Sequence, residues 1–250
     1  TSAAVKLARG ATNREAIAVT RQHPFHSFDD WFIGASAIPR GTSEPGRAST
    51  IKFDYGDIAS LERVLRDTAG GVAAVMLEPM TTQRPCPDEC AEWSAPRPDC
   101  TSCPRRDANF LHQVRRLCDA YGSIMILDEI ITGFRWRLGG AQELFGVRAD
   151  LTTYGKAMGN GFAIAALSGR RDLMELGGIS PEGQERLFLI SSTHGSEAVG
   201  LAALLGVLDV HEVEDVPAHL WSYGAQFTDL WYSTAQRYGV QDHVPLLGAV

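Results

Sequence analysis

Two apolar runs constrain this chain more than any other feature. Val72–Leu77 (VAAVML) and residues 123–127 (SIMIL) are short and almost free of polar side chains, and an acid follows each, Glu78 and Asp128. An apolar run without alternation suits a strand buried on both faces. Around these runs the period changes to that of helices. Asp57 stands as an N-cap ahead of Leu61, Val64 and Leu65, and Leu111, Val114 and Cys118 share the face of a helix that stops before Gly122. Further strands are expected at 15–20 and 163–167. Helices are expected from Arg171, over 197–210 with Leu201, Leu204, Leu205 and Leu208 inward, and over 217–238 with a proline at its start. Strand–helix alternation implies an α/β fold with a mostly parallel sheet. In such sheets ligands bind beyond the carboxyl ends of the strands, where Glu78 and Asp128 fall.

The 250 residues are 44% hydrophobic, enough for a substantial core. Net charge is −7 and no basic stripe with interleaved aromatics occurs, which argues against nucleic-acid binding. No apolar run approaches the roughly 18 residues of a membrane span. The chain opens without Met directly into a helical pattern and stops at LLGAV, so we expect a segment of a longer protein. The pattern changes around 212–216, which places a domain boundary there.

A second short segment ends in Lys156, 28 residues after Asp128, between Gly155 and the run Gly159-Asn160-Gly161. An acid and a lysine delivered to loop ends suit an aldehyde cofactor, pyridoxal 5′-phosphate (PLP). The lysine amine forms an imine and then shuttles a proton, while the carboxylate holds the proton on the ring nitrogen. Taken singly, each residue has a plainer use. Asp128 suits a turn and Lys156 a solvated loop.

The combination ILDEIITGFR, a spacer, then ADLTTYGKAMGNGFAIAALSGRRDLM resembles the class III, fold-type-I PLP-dependent aminotransferases, and within them the branch containing glutamate-1-semialdehyde aminomutase. HPFHSFDDW resembles the family's Tyr-His-Gly segment, AAVMLEP its strand ending in Glu-Pro, and SSTHGSEAVGLAALLGVLDV the segment with a phosphate-contacting Thr. The resemblance implies a PLP-binding large domain over 1–212 and the start of a small C-terminal α+β domain over 213–250. It implies Lys156 as the Schiff-base lysine and Asp128 as partner of the pyridine nitrogen. Phe25 and Ile130 would pack on the two ring faces, Glu78 would support the site by hydrogen bonding, and Thr193 would bind phosphate, usually of the neighbouring subunit's cofactor. A cytoplasmic homodimer follows, acting on a small-molecule amino donor and a carbonyl acceptor. Without the motifs, Phe25 and Ile130 would read as core packing and Thr193 as a helix cap.

Ile131 stands where many members carry Gln, which fits the aminomutase branch. Gly-Asn-Gly replaces that branch's triple glycine, and the family's phosphate-binding turn would lie before Thr1. Transamination and intramolecular amine transfer both stay open, as does a non-catalytic scaffold.

An insertion at about 83–107 interrupts the resemblance. Cys86 and Cys90, then Cys100 and Cys103, form two close pairs. Four thiolates so spaced can hold a structural zinc ion, or they are free or paired cysteines in an exposed loop.

Overall fold

The structure is a computed structural model that describes residues 1–22, 26–80, 83–86, 103–178, 187 and 194–246. In chain order its elements are α1 (Ser2–Thr12), β1 (Ala16–Thr20), α2 (Asp30–Ile33), α3 (Glu44–Ala48), β2 (Thr50–Phe53), α4 (Ile58–Asp67), β3 (Val72–Leu77), α5 (Phe110–Tyr121), β4 (Ile124–Asp128), α6 (Ala141–Phe145), β5 (Leu151–Tyr154), β6 (Ala166–Gly169), α7 (Arg171–Glu175), α8 (Ala198–Val213) and α9 (Val216–Arg237). The helices start and stop for local reasons. Asp57 and Asn109 accept the amides of Ser60 and Leu111 at 3.0 and 2.9 Å, capping α4 and α5. At the far end of α5, Gly122 takes the left-handed conformation that closes the helix.

The strands form one sheet in the order β2-β1-β3-β4-β5-β6, parallel throughout except for β6, which pairs antiparallel with β5. Strand side chains alternate between two cores. Ala18, Val75, Leu77, Met125 and Leu127 pack against Leu61 and Leu65 of α4 and Leu111 and Val114 of α5. Ile17, Val19, Ala74, Met76, Ile124 and Ile126 pack against Ala4, Val5 and Leu7 of α1 and Leu173 of α7. Helices therefore cover both faces, as the α/β expectation requires. Among the described residues no helix is long and apolar enough to cross a membrane.

Three details differ from the sequence reading. β2 was not foreseen, because its TIKF carries two polar side chains on a half-exposed edge strand. The last strand is 166–169 rather than 163–167. α8 does not turn all four of its leucines inward: Leu204 and Leu208 are half-buried, but Leu201 and Leu205 are 45% and 62% exposed. Its close contact is through Gly200, where a Cβ would lie 2.8 Å from the Ala163 carbonyl oxygen. Gly200 lies on the same face as Leu204 and Leu208, at helical spacing, and allows that face its close approach.

The amino end of the sheet is closed by charge. Arg14 donates to the carbonyls of Val72, Tyr121 and Gly122 at 2.9–3.1 Å. Asp150, 5% exposed, accepts from Arg115 at 2.7 Å, Arg170 at 3.0 Å and the Met125 amide at 2.8 Å. Without Asp150, Arg115 keeps Asp119 and Arg170 keeps Asp172, but the buried Met125 amide loses its acceptor. Asp150→Ala is therefore expected to cost about 1–3 kcal/mol, read as a lower urea midpoint. A loss below about 1 kcal/mol would show that the pair behaves as an exposed one.

Candidate active site

The strand order reverses between β1 and β3, since β2 lies to one side of β1 and β3, β4 and β5 to the other. The crevice at the carboxyl ends beside such a reversal is where open α/β sheets hold ligands. The register pairs Leu77 with Leu127 and Asp128 with Thr153, so Glu78, Asp128 and Thr153 come side by side there. Strand alternation turns all three toward the α1 side of the sheet.

Asp128 is 2% exposed and three donors hold it. Oδ2 receives His26 Nδ1–H at 2.9 Å, and Oδ1 receives the Ile130 amide at 3.2 Å and the Thr153 hydroxyl at 3.1 Å. An ionised carboxylate only accepts, so the His26 proton on this contact sits on Nδ1. Burial pushes the Asp128 carboxyl upward, but the hydrogen bond and charge of His26, with the Ile130 and Thr153 donors, outweigh it. The group is held below the ordinary carboxylate range. His26 is itself oriented by the edge of the Phe32 ring, with centroids 5.5 Å apart.

The adjacent acid behaves differently. Glu129 points the other way along the strand and caps α6, accepting from the Ala141 and Gln142 amides at 2.9 and 2.8 Å and from the Thr132 hydroxyl. Burial, with the nearby Asp128 charge, pushes it upward despite these donors. Gly140 lies against it at φ 84°, where a Cβ would meet the carboxylate at 2.6 Å.

Lys156 follows β5 by two residues and is exposed. Its φ of 47° lies in the left-handed region, uncommon for a residue with a side chain. Strain of this kind concentrates at functional positions. Gly155 joins it to Ile130: a Cβ on Gly155 would sit 3.7 Å from Ile130 Cγ2. The half-buried Ile130 thus links the Asp128 strand end to the lysine loop. Lys156 borders a cavity of about 730 Å³ that is also lined by Phe134, Arg135, Asn160, Phe162 and His211.

The structure accordingly brings Asp128, Glu78, Ile130 and Lys156 to one end of the sheet. Phe25 and Thr193 lie outside the described residues. So do Cys90 and Cys100, and among the described residues no group of three or more metal-ligating side chains occurs. Cys86 instead receives Asn109 Nδ2–H at 3.4 Å, beside the α5 cap. The zinc reading gains no support. Sequence reasoning missed His26 and Thr153. A signal for Thr153 existed, because period-2 alternation puts it on the Asp128 face. His26 carried none beyond its place next to Phe25, as its partner is 102 residues away.

The family model for class-III aminotransferases matches residues 104–250, more than half of the chain. The chain belongs to that family. It is 36% identical over 196 residues to a glutamate-1-semialdehyde 2,1-aminomutase of Chlorobium phaeovibrioides, covering 73% of this chain and 41% of that protein. It is 32% identical over 228 residues to a 3-aminobutyryl-CoA aminotransferase of Cloacimonas acidaminovorans, covering 91% and 48%. Among solved structures, a transaminase with PLP bound superposes with a TM-score of 0.63 at 26% identity, covering 83% of this chain and 46% of that one. The chain thus spans less than half the length of these proteins.

The depressed Asp128 carboxyl makes a sign-definite prediction. Its folded pKa lies below the unfolded value of about 3.9, so the ionised group stabilises the fold above that pH and ceases to as pH falls through the folded value. Asp128→Asn should lower the urea midpoint at pH 7 and lose that penalty in acid. An equal penalty at every pH would refute the assignment.

Proposed function

We propose that this class-III aminotransferase chain carries the PLP end of an amino-group-transfer enzyme. The observation that carries this is Asp128, an acid held ionised away from water by His26, Thr153 and the Ile130 amide, at the sheet end that also presents Lys156. A buried, ionised carboxylate whose three donors leave lone-pair capacity fits the protonated nitrogen of a pyridine ring, because opposite charge within about 4–6 Å stabilises both partners. When bound, PLP supplies the electron sink for carbon–hydrogen cleavage beside the amine.

Lys156 would hold the cofactor's aldehyde carbon through its amine and, as a base, would move a proton to and from the substrate carbon. Asp128 would hold the proton on the ring nitrogen. His26 and Thr153 position Asp128 and touch no reacting atom. Ile130 and Phe25 would pack on the two faces of the ring, Glu78 would support the site by hydrogen bonding, and Thr193 would contact phosphate across a homodimer. The domain boundary near residue 212, a small-molecule donor and acceptor, and a cytoplasmic location complete this proposal. Exposed apolar side chains on α9, including Tyr223, Phe227 and Leu230, are consistent with burial in a larger assembly.

Intramolecular transfer is the second reading, favoured by Ile131 and by the identity to the aminomutase of Chlorobium. A labelled amino group that stays on the substrate skeleton without an added oxo acid would decide for it.

The direct test is chemical. Purified protein mixed with PLP should develop a visible band, and borohydride should fix the cofactor on the peptide containing Lys156. Lys156→Ala should take up no fixed cofactor. Asp128→Ala should retain it and lose roughly 10²–10⁴-fold in turnover, the range for a lost proton-transfer contribution. Fixation on another lysine would overturn the assignment.

A further inference from the structure

The chain has three asparagines, Asn13, Asn109 and Asn160, and only the last is followed by a glycine. Asn160 lies four residues beyond Lys156 in the same loop and has no role in the proposed reaction. Asn160 and Gly161 are both exposed. The side-chain amide of Asn160 and the backbone amide of Gly161 make no hydrogen bond with any described residue. Gly161 takes φ 105°, and a Cβ there would find no atom within 4 Å. The peptide group between the two residues is therefore neither tied nor crowded, and the missing side chain leaves its nitrogen open to approach.

The loop is held on either side of this peptide and not at it. The Asn160 amide donates to the carbonyls of Lys156 and Ala157 at 3.1 and 3.2 Å, and the Phe162 amide donates to the Gly159 carbonyl at 3.0 Å. The other two asparagines lack this combination. Asn109 is 5% exposed and both ends of its side-chain amide are engaged. Its oxygen accepts the Leu111 amide at 2.9 Å and its nitrogen donates to Cys86 at 3.4 Å. Asn13 is exposed but precedes Arg14, so the next amide carries a bulky side chain anchored on three backbone carbonyls.

We propose that the Asn160–Gly161 peptide is a site of spontaneous deamidation in the lysine loop, with water as its only co-reactant. The Gly161 nitrogen gives its proton to solvent base and attacks Cγ of Asn160. An N–Cγ bond forms, the Cγ–Nδ2 bond breaks, and Nδ2 leaves as ammonia with a proton from solvent. Water then opens the five-membered succinimide. Breaking the N–Cγ bond gives aspartate, and breaking the bond between the Gly161 nitrogen and the Asn160 backbone carbonyl carbon gives isoaspartate. No oxidant or reductant takes part. Both products replace a neutral amide by a carboxylate on the cavity wall that Lys156 shares. Isoaspartate also lengthens the backbone by one carbon, beside the amide that bonds the Lys156 carbonyl. This site does not rest on the PLP reading.

Peptide mapping of aged protein tests it. The purified full chain is kept for several days in warm buffer, at neutral and at mildly alkaline pH, and digested with trypsin. Cleavage after Lys156 and Arg170 releases 157–170, in which Asn160 is the only side-chain amide. That fragment should gain about one mass unit and resolve into two acidic forms, one of which accepts a methyl group from isoaspartyl methyltransferase. The gain should be faster at the higher pH, because the attacking nitrogen must lose its proton. It should also be at least about tenfold faster than at Asn13 or Asn109, where the following residue carries a side chain. Asn160→Gln should show no gain over the same period, since the longer side chain must close a six-membered ring. Equal rates at all three asparagines, no gain in 157–170, or aspartate without isoaspartate would overturn the proposal.

Discussion

A carboxylate removed from water persists only if donors meet it, and the three that meet Asp128 come from distant parts of the chain. His26 arrives after β1, the Ile130 amide from the turn after β4, and Thr153 from β5. These contacts depend on one another through the sheet. Thr153 reaches Asp128 only because β4 and β5 pair in parallel with those two residues opposite each other, and a one-residue slip would turn Thr153 to the other core. His26 reaches it because the chain leaving β1 returns through Phe32 and α2 into the core under α1. The local geometry of one acid therefore requires the register of the sheet and the closure of one of its faces.

The two ends of the sheet use charge in opposite ways. At the amino end Arg14 is matched by three carbonyls and Asp150 by two guanidinium groups and an amide. Such groups lock strand starts to helix ends and leave nothing for a ligand. At the carboxyl end the matching is incomplete. Asp128 takes three donors on its roughly four lone-pair sites, Lys156 stands in a strained conformation on a cavity wall, and Arg135 shares that wall without a partner among the described residues. Incomplete matching at the end where parallel sheets bind ligands separates a site from a structural ion-pair network.

Much of the frame was legible in the sequence because burial on both faces leaves an unmistakable pattern. Val72–Leu77 and the run ending at Asp128 have no polar interruption, and the Asp57 cap, the Gly122 stop and the 217–238 helix follow from backbone chemistry that acts within a few residues. What escaped depends on pairing at long range. β2 is an edge strand whose Thr and Lys hide its period. His26 acquires meaning only from an acid 102 positions away. The closest approach of α8 is at Gly200, which vanishes from any count of apolar residues, and of the leucines Leu201 and Leu205 turn outward.

The Asp128-Glu129 pair shows how far a motif can conceal its own division of labour. The two acids are chemically alike and adjacent, and β geometry sends them to opposite faces. Asp128 meets donors strong enough to outweigh burial and is held ionised. Glu129 meets the amino end of α6 and a hydroxyl, yet burial and the charge of its neighbour push it upward. Glu129 spends its carboxylate oxygens on the start of α6 and on Thr132, away from the acid that faces the site. Gly140 fits this arrangement, since at φ 84° it supplies the turn into α6 and a Cβ there would strike the Glu129 carboxylate. The second acid of the motif thus belongs to the fold. It fixes the turn that carries Arg135 and leaves Asp128 as the motif's acid on the α1 side of the sheet.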